Sequence, residues 1–283
     1  MEWSQEQVLL ADELLRKAKE FGADLAGLAS VEQLKNGPSE QLFPRMKDHA
    51  RDHFAEQITT GLSHGAVKWE QDENTVLVFA VSHPEDKPEM DWWCGEVNPP
   101  GNKLLASISG KLKRYIEENY PHIQVYPKPY HVEKGGIYLK DAAVAAGLGC
   151  IGRNNLLITP EYGARVRLRA IAVSAKLPAS VPAAFDPCEG CPRPCEAACP
   201  RQAFSQVIYT KEETGLSFLP AREGDYYRKR CALEMEENED TAPLELVPEY
   251  SKEPMPVIRY CRACEFSCRY RGSRTLPFSA ITQ

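Results

Sequence analysis

CEGCPRPCEAACP, residues 188–200, sets four cysteines into one short stretch broken by prolines. The spacing is Cys188-x2-Cys191-x3-Cys195-x3-Cys199-Pro200. A second run, Cys261-x2-Cys264-x3-Cys268, follows further along, and Cys231 stands alone between the two. MEWSQEQVLLADELL (1–15) has no basic start and no unbroken apolar stretch of an export signal, so the chain is expected to be cytoplasmic. A reducing compartment keeps thiols free, and clustered cysteines there point to metal.

Bacterial ferredoxins use C-x2-C-x2-C-x3-C-P, in which the fourth cysteine serves the other of two clusters. This chain adds one residue between its second and third cysteines and keeps the closing x3-Cys-Pro. Three thiols on a tight loop can face one cube. A fourth, about one helical turn on, points away and reaches a neighbour. Applied twice, the rule gives one [4Fe-4S] cluster on Cys188, Cys191, Cys195 and Cys268. It gives a second on Cys199, Cys231, Cys261 and Cys264. Zinc is the rival, since it too uses C-x2-C pairs, but a ribbon suits such crowding and a trailing proline poorly.

Composition sets wider bounds. The chain has 283 residues, with 43% apolar and 26% charged residues, which suits one or two globular domains. A net charge of -6 argues against a broad nucleic-acid surface, and no segment is apolar enough to span a membrane. Ser4-x-x-Gln7 opens a helix of apolar residues at helical spacing that stops near Gly22. LAGLAS (25–30) and TVLVFAVS (75–82) read as strands, the second buried by its continuous apolar content. Residues 84–101 read as a long loop around Trp92, Trp93 and Cys94, and 103–119 as a helix ended before Pro121. A strand is expected at 123–126 and a helix over 138–146, stopped by Gly147. LLIT (156–159) and RVRLRAIAVS (165–174) are expected to pair across the turn between them. Arg165, Arg167 and Arg169 would then share the wet face of that strand. KLPASVPAAFDP reads as a linker, dividing residues 1–180 from a cysteine-bearing module at 181–283. The acidic, proline-containing stretch 236–256 reads as a surface excursion. His49 and His53, at i,i+4, fit an exposed helix face better than a metal site.

AGLGCIGRNNLLI (146–158) is the second informative stretch. Gly147, Gly149 and Gly152 spell G-x-G-x-x-G, but they follow a helix, whereas a dinucleotide fingerprint follows a strand; a helix stop with a turn suits them better. The stretch is similar to the AGLGWIGKNTLLI-type motif of epoxyqueuosine reductases. The cysteine runs, the Arg230–Cys231 context and FGADLAGLAS (21–30) also resemble that family. The resemblance implies an α+β protein related to reductive dehalogenases. A flavin-nitroreductase-like α/β domain that binds a corrinoid (cobalamin) would precede a ferredoxin-like domain with two [4Fe-4S] clusters. Electrons would pass through the clusters to cobalt.

On that resemblance the corrinoid contacts are Gly147, Gly149, Cys150, Ile151, Gly152, Arg153, Asn154 and Asn155. Cys150 stands where the family has Trp and could ligate or attack at cobalt as a thiolate. The family's catalytic Asp falls on Glu133. Glu133 and Tyr138, with His131 beside them, are the candidate proton donors. The expected function is a cobalamin-binding iron–sulfur oxidoreductase for corrinoid processing or small-molecule reduction. Its partners would be a corrinoid, a small substrate and a reduced ferredoxin- or flavodoxin-type donor, without nucleic acid. The alternatives are an epoxyqueuosine reductase acting on tRNA and a ferredoxin-type carrier without corrinoid.

Overall fold

A computed structural model describes residues 3–46 and 59–273; His49 and His53 lie outside the described residues. Helix α1 (Gln5–Glu20) opens on the expected reciprocal cap between Ser4 and Gln7. Strand β1 (Leu25–Ser30) follows, then two short helices, α2 (Val31–Lys35), again boxed by Ser30 and Gln33, and α3 (Pro38–Leu42). Strand β2 is Thr75–Ser82 and the two-residue β3 is Trp93–Cys94. Helix α4 (Pro100–Asn119) starts with proline at its first position, where no amide bond is lost. Strand β4 (Val125–Lys128) leads through a 3-10 turn, Val132–Lys134, to α5 (Leu139–Ala145). The hairpin β5 (Cys150–Ile151) and β6 (Leu157–Ile158) precedes the long β7 (Val166–Val173).

Strands β1, β2, β7 and β4 lie in that order in one antiparallel sheet. Successive side chains of a strand point to opposite faces. Leu77, Phe79, Val81 and Ile171 face α1 and α4 with Leu14, Ile108, Leu112 and Ile116. Val76, Val78, Ala170 and Ala172 face α2 and α5 with Val31, Leu34, Ala142 and Ala143. Helices on both faces explain why β2 is apolar throughout rather than alternating. Each large aliphatic side chain so buried contributes about 1.5–3 kcal/mol.

The second half is built from short pieces. They are α6 (Pro194–Ala197), α7 (Lys211–Thr214), α8 (Arg228–Asp240), β8 (Leu244–Glu245), β9 (Met255–Ile258) and α9 (Ala263–Phe266). Helices α6 and α9, which carry Cys195 and Cys264, pack on each other. The halves interlock. β3, from residues 84–101, pairs with β9, and Ser180 in the expected linker bonds Leu28 through its amide and its hydroxyl.

Two expectations are corrected. Residues 157–158 pair with 150–151, and between Leu156–Thr159 and β7 only a Thr159–Gly163 bridge closes the turn. Arg165 and Arg167 do not point to water: Arg165 is buried against Glu85, and Arg167 reaches Asp91 and Asn102. Arg169 is half-buried, and that burial pushes its guanidinium below its ordinary range. Long-range acids, invisible in the local pattern, take the place of solvent. Residues 236–256 lie at the surface as expected, as the second part of α8, then β8 and the start of β9.

Candidate functional site

Cys188, Cys191, Cys195 and Cys268 line a single cavity with Arg153, Asn154, Ile158, Pro187, Pro194, Arg269 and Tyr270. Cys188 lies in the loop before α6, Cys195 on α6, and Cys268 just past α9. This is the first of the two expected sets. The second set also converges: Cys264 and Cys261 each lie within electrostatic reach of Cys231 and Cys199. Helix α8 supplies Cys231. The amide of Ala203 donates to Cys199 Sγ at 3.3 Å, and the amide of Cys261 donates to Asn238 at 2.7 Å, tying the loop to α8.

Four cysteine thiols on one cavity are the donor set of a thiolate-bound metal group. Among the described residues, no three His, Cys, Asp or Glu side chains close on a single metal. Burial and neighbouring thiols push Cys195 up to about 11 and Cys264 up to about 12, and raise Cys261 and Cys268. Bound metal cations would displace those protons. Arg153 carries Nε and a terminal nitrogen that are buried without hydrogen bonds, although Glu223 lies 3.2 Å from the latter. A guanidinium with spare donors on the wall of a four-thiolate cavity suits an anionic cluster.

The glycine turn walls this first cage. The hairpin β5–β6 brings Cys150, Leu156 and Ile158 against Cys188 and Cys268. The glycines serve close packing within the chain. A Cβ on Gly147, at φ 74°, would meet the Val181 carbonyl oxygen at 2.3 Å, and one on Gly149 would meet that of Ile158 at 2.0 Å. A Cβ on Gly152 would strike Ile158 at 2.4 Å. The side of each glycine on which a Cβ would stand is therefore filled by protein. Ile151 pairs with Leu157, and Asn154 directs its side chain to the Leu156 amide and to the Cys264 carbonyl. Asn155 accepts from Lys140 Nζ at 2.7 Å. Cys150 packs with Ile158 and Cys188 in a small apolar cluster, and that burial pushes its thiol up to about 11.

The candidate proton donors come together elsewhere, at the start of α5. Glu133 lies in the 3-10 turn, and its carbonyl accepts from the Thr59 amide at 2.9 Å. Tyr138 caps α5 and donates to the Gly65 carbonyl at 2.7 Å. Burial, with Glu133 nearby, raises its hydroxyl well above the usual range. His131 is drawn aside, its ring edge-on to Tyr130 at 5.1 Å. Sequence reading missed His64, whose Nε2 lies 3.4 Å from Glu133 Oε1. Both His64 ring nitrogens are buried and lack hydrogen bonds among the described residues. No local spacing links residues 64 and 133, so only the fold could bring them together.

No family model matches the chain. An epoxyqueuosine reductase of Synechococcus sp. (strain RCC307) is 32% identical over 230 residues, covering 74% of this chain and 66% of the relative. One from Listeria monocytogenes serovar 1/2a is 45% identical over 215 residues, covering 68% and 51%. A tetrachloroethene reductive dehalogenase of Desulfitobacterium hafniense is 27% identical over 235 residues, covering 72% and 40%. Among solved structures, an epoxyqueuosine reductase with an epoxyqueuosine-modified tRNA stem loop superposes with a TM-score of 0.63 at 18% identity, over 95% of this chain and 67% of that one. A catabolic reductive dehalogenase in complex with 3-bromo-4-hydroxybenzoic acid gives 0.63 at 14% identity, over 96% and 33%. Another, described for B12-dependent dehalogenation, gives 0.55 at 14% identity, over 82% and 30%. At these identities the structures speak for the fold. The chain spans about a third to two thirds of the length of the curated relatives it matches. Among the described residues, no helix is long and apolar enough to cross a membrane. The chain belongs to the epoxyqueuosine reductase-like, reductive dehalogenase-related family of reductases.

Proposed function

We propose that the chain is an oxidoreductase whose two four-cysteine cages hold [4Fe-4S] clusters and which reduces its substrate beside Glu133. The observation that carries this is the convergence of Cys188, Cys191 and Cys195 with the distant Cys268 on one cavity. When bound, the clusters supply electrons one at a time. The protein's part is then to insulate, to hold charge and to move a proton. The thiols are the ligands. Arg153 offsets the negative charge of the first cage, and the β5–β6 hairpin keeps water from it. Glu133 is the proton donor to the reduced substrate, and His64 is the group that shares its proton. Tyr138 is held as a donor to Gly65 and orients the wall rather than supplying the proton.

A corrinoid enters this reading through the motif resemblance of residues 146–158 and a neighbour of the same fold described for B12-dependent dehalogenation. The net charge gave a reason to set nucleic acid aside. A relative of the same fold holds a tRNA stem loop, and that reason no longer decides. Epoxyqueuosine-bearing tRNA is therefore the first substrate to assay, under strong reductant without oxygen. Glu133→Gln is expected to keep its iron and lose about 10²–10⁴-fold in turnover, with a smaller loss for His64→Gln. Full turnover by Glu133→Gln would overturn the assignment of the acid. Cobalamin titration separates the other readings. A changed corrinoid spectrum with no tRNA turnover supports corrinoid or small-molecule chemistry. An unchanged spectrum with redox-active clusters supports a ferredoxin-type carrier.

A further inference from the structure

On the two-cluster reading above, we propose that Glu223 is a positioning residue that restrains Arg153, and that the two opposed charges together set the reduction potential of the first cluster. Arg153 lines the cavity on which Cys188, Cys191, Cys195 and Cys268 converge. A guanidinium carries five N–H donors in a fixed fork. Here Nε and Nη1 are buried and make no hydrogen bond among the described residues. Glu223 Oε1 stands 3.2 Å from Nη1 as an ion pair, which leaves those donors free for sulfur on the cavity side.

The turn that carries Arg153 is pinned. The Gly152 amide donates to the Leu156 carbonyl at 2.8 Å, and the Asn155 amide to the Gly152 carbonyl at 3.0 Å. Asn154 is only 3% exposed and bonds the Leu156 amide and the Cys264 carbonyl. Glu223 is held from its other side, where the same Oε1 lies 3.5 Å from Arg222 Nε. Arg222 grips Asp186 with both terminal nitrogens, and Asp186 accepts from the Cys188 amide at 3.0 Å. Alternating charges therefore run from the cavity wall back to the amide of a first-cage cysteine. Hydrogen bonds and charge around a cluster tune its potential. The Arg153 guanidinium favours the reduced, more negative state, and the Glu223 carboxylate opposes it. Glu223 is 36% exposed against 15% for Arg153, so solvent screens the acid more and its effect is the smaller.

The two charges predict shifts of opposite sign, which a merely structural role would not produce. Redox titration of anaerobically purified full-length protein, followed by electron paramagnetic resonance, reads them as movement of one of two midpoints. Arg153→Gln is expected to disfavour the reduced first cluster about tenfold, 59 mV downward for one electron. Arg153→Lys keeps the charge and is expected to lie between that variant and the wild type. Glu223→Gln is expected to move the same midpoint upward by less. Equal midpoints in all variants, shifts of one sign, or equal movement of both midpoints overturn the proposal. Should Arg153→Gln lose its iron, Glu223→Gln decides: a rise supports the proposal, and no change or a fall overturns it. A wild-type chain without iron and sulfide overturns the two-cluster reading itself, a result distinct from wild-type clusters with unmoved variants.

Discussion

Strand β2 buries seven of its eight residues between two layers of helices, whereas α8, thirteen residues long, buries none. The front half stands on apolar burial, with Leu77, Phe79, Ile108 and Ile116 sealed from solvent. The back half has small apolar clusters around Tyr209 and around Cys188, and is otherwise tied by ion pairs such as Arg201–Glu234 and Arg222–Asp186. Exposed pairs of that kind contribute about 0–1 kcal/mol each. A region with so little core needs another staple, and the cysteine cages are the one its residues offer. Its folding should therefore depend on metal in a way the sheet does not.

The largest effect follows directly. Stripping iron with a chelator under reducing, anaerobic conditions is expected to remove amide-exchange protection from the segments around Cys188–Cys199 and Cys261–Cys268. Protection in β2 and β7 should persist. Loss of protection across the whole chain would erase the contrast between the halves. Next in size is the converse change. Phe79→Ala opens a cavity between β2 and its helices and is expected to cost about 3–5 kcal/mol in urea unfolding. Iron content in native buffer should stay at the wild-type level; parallel loss of iron would show that the halves fold as one unit.

The smallest effect concerns a buried charge at the seam. Lys140 donates to Asn155 from α5, and burial pushes its ammonium down to about 8 from an ordinary 10.5. The unfolded chain therefore holds a proton there that the folded chain has lost between those two values. Stability contributed by this group rises with pH across that window. Lys140→Met is expected to flatten the rise, measured as unfolding free energy at pH 8 and pH 10. An unchanged slope would remove Lys140 as its source.

What the sequence made legible follows the same division. The capping box at Ser4, the buried TVLVFAVS strand and the helix read at 103–119 rest on local periodicity, and the structure forms all three, starting the last at Pro100. The partition of cysteines also rests on local spacing, with one swapped thiol from each run. Helix α8 was hidden because RKRCALEMEENED has no apolar stripe to bury. Arg165 and Arg167 looked wet because the acids that pair with them, Glu85 and Asp91, lie about eighty residues away. His64 was missed for the same reason with respect to Glu133. The glycine turn was read as a helix stop, and α5 does end there with Gly147 at φ 74°; that Val181 packs against this glycine no local pattern announces.

The central claim is that the back half cages two iron–sulfur cubes. Iron and acid-labile sulfide, counted per chain after anaerobic purification, test it most directly. The account predicts about eight of each, in a brown protein whose Cys199→Ser variant loses the second cluster. Zinc in place of iron, or a Cys199→Ser chain that keeps its full complement of both, would contradict it.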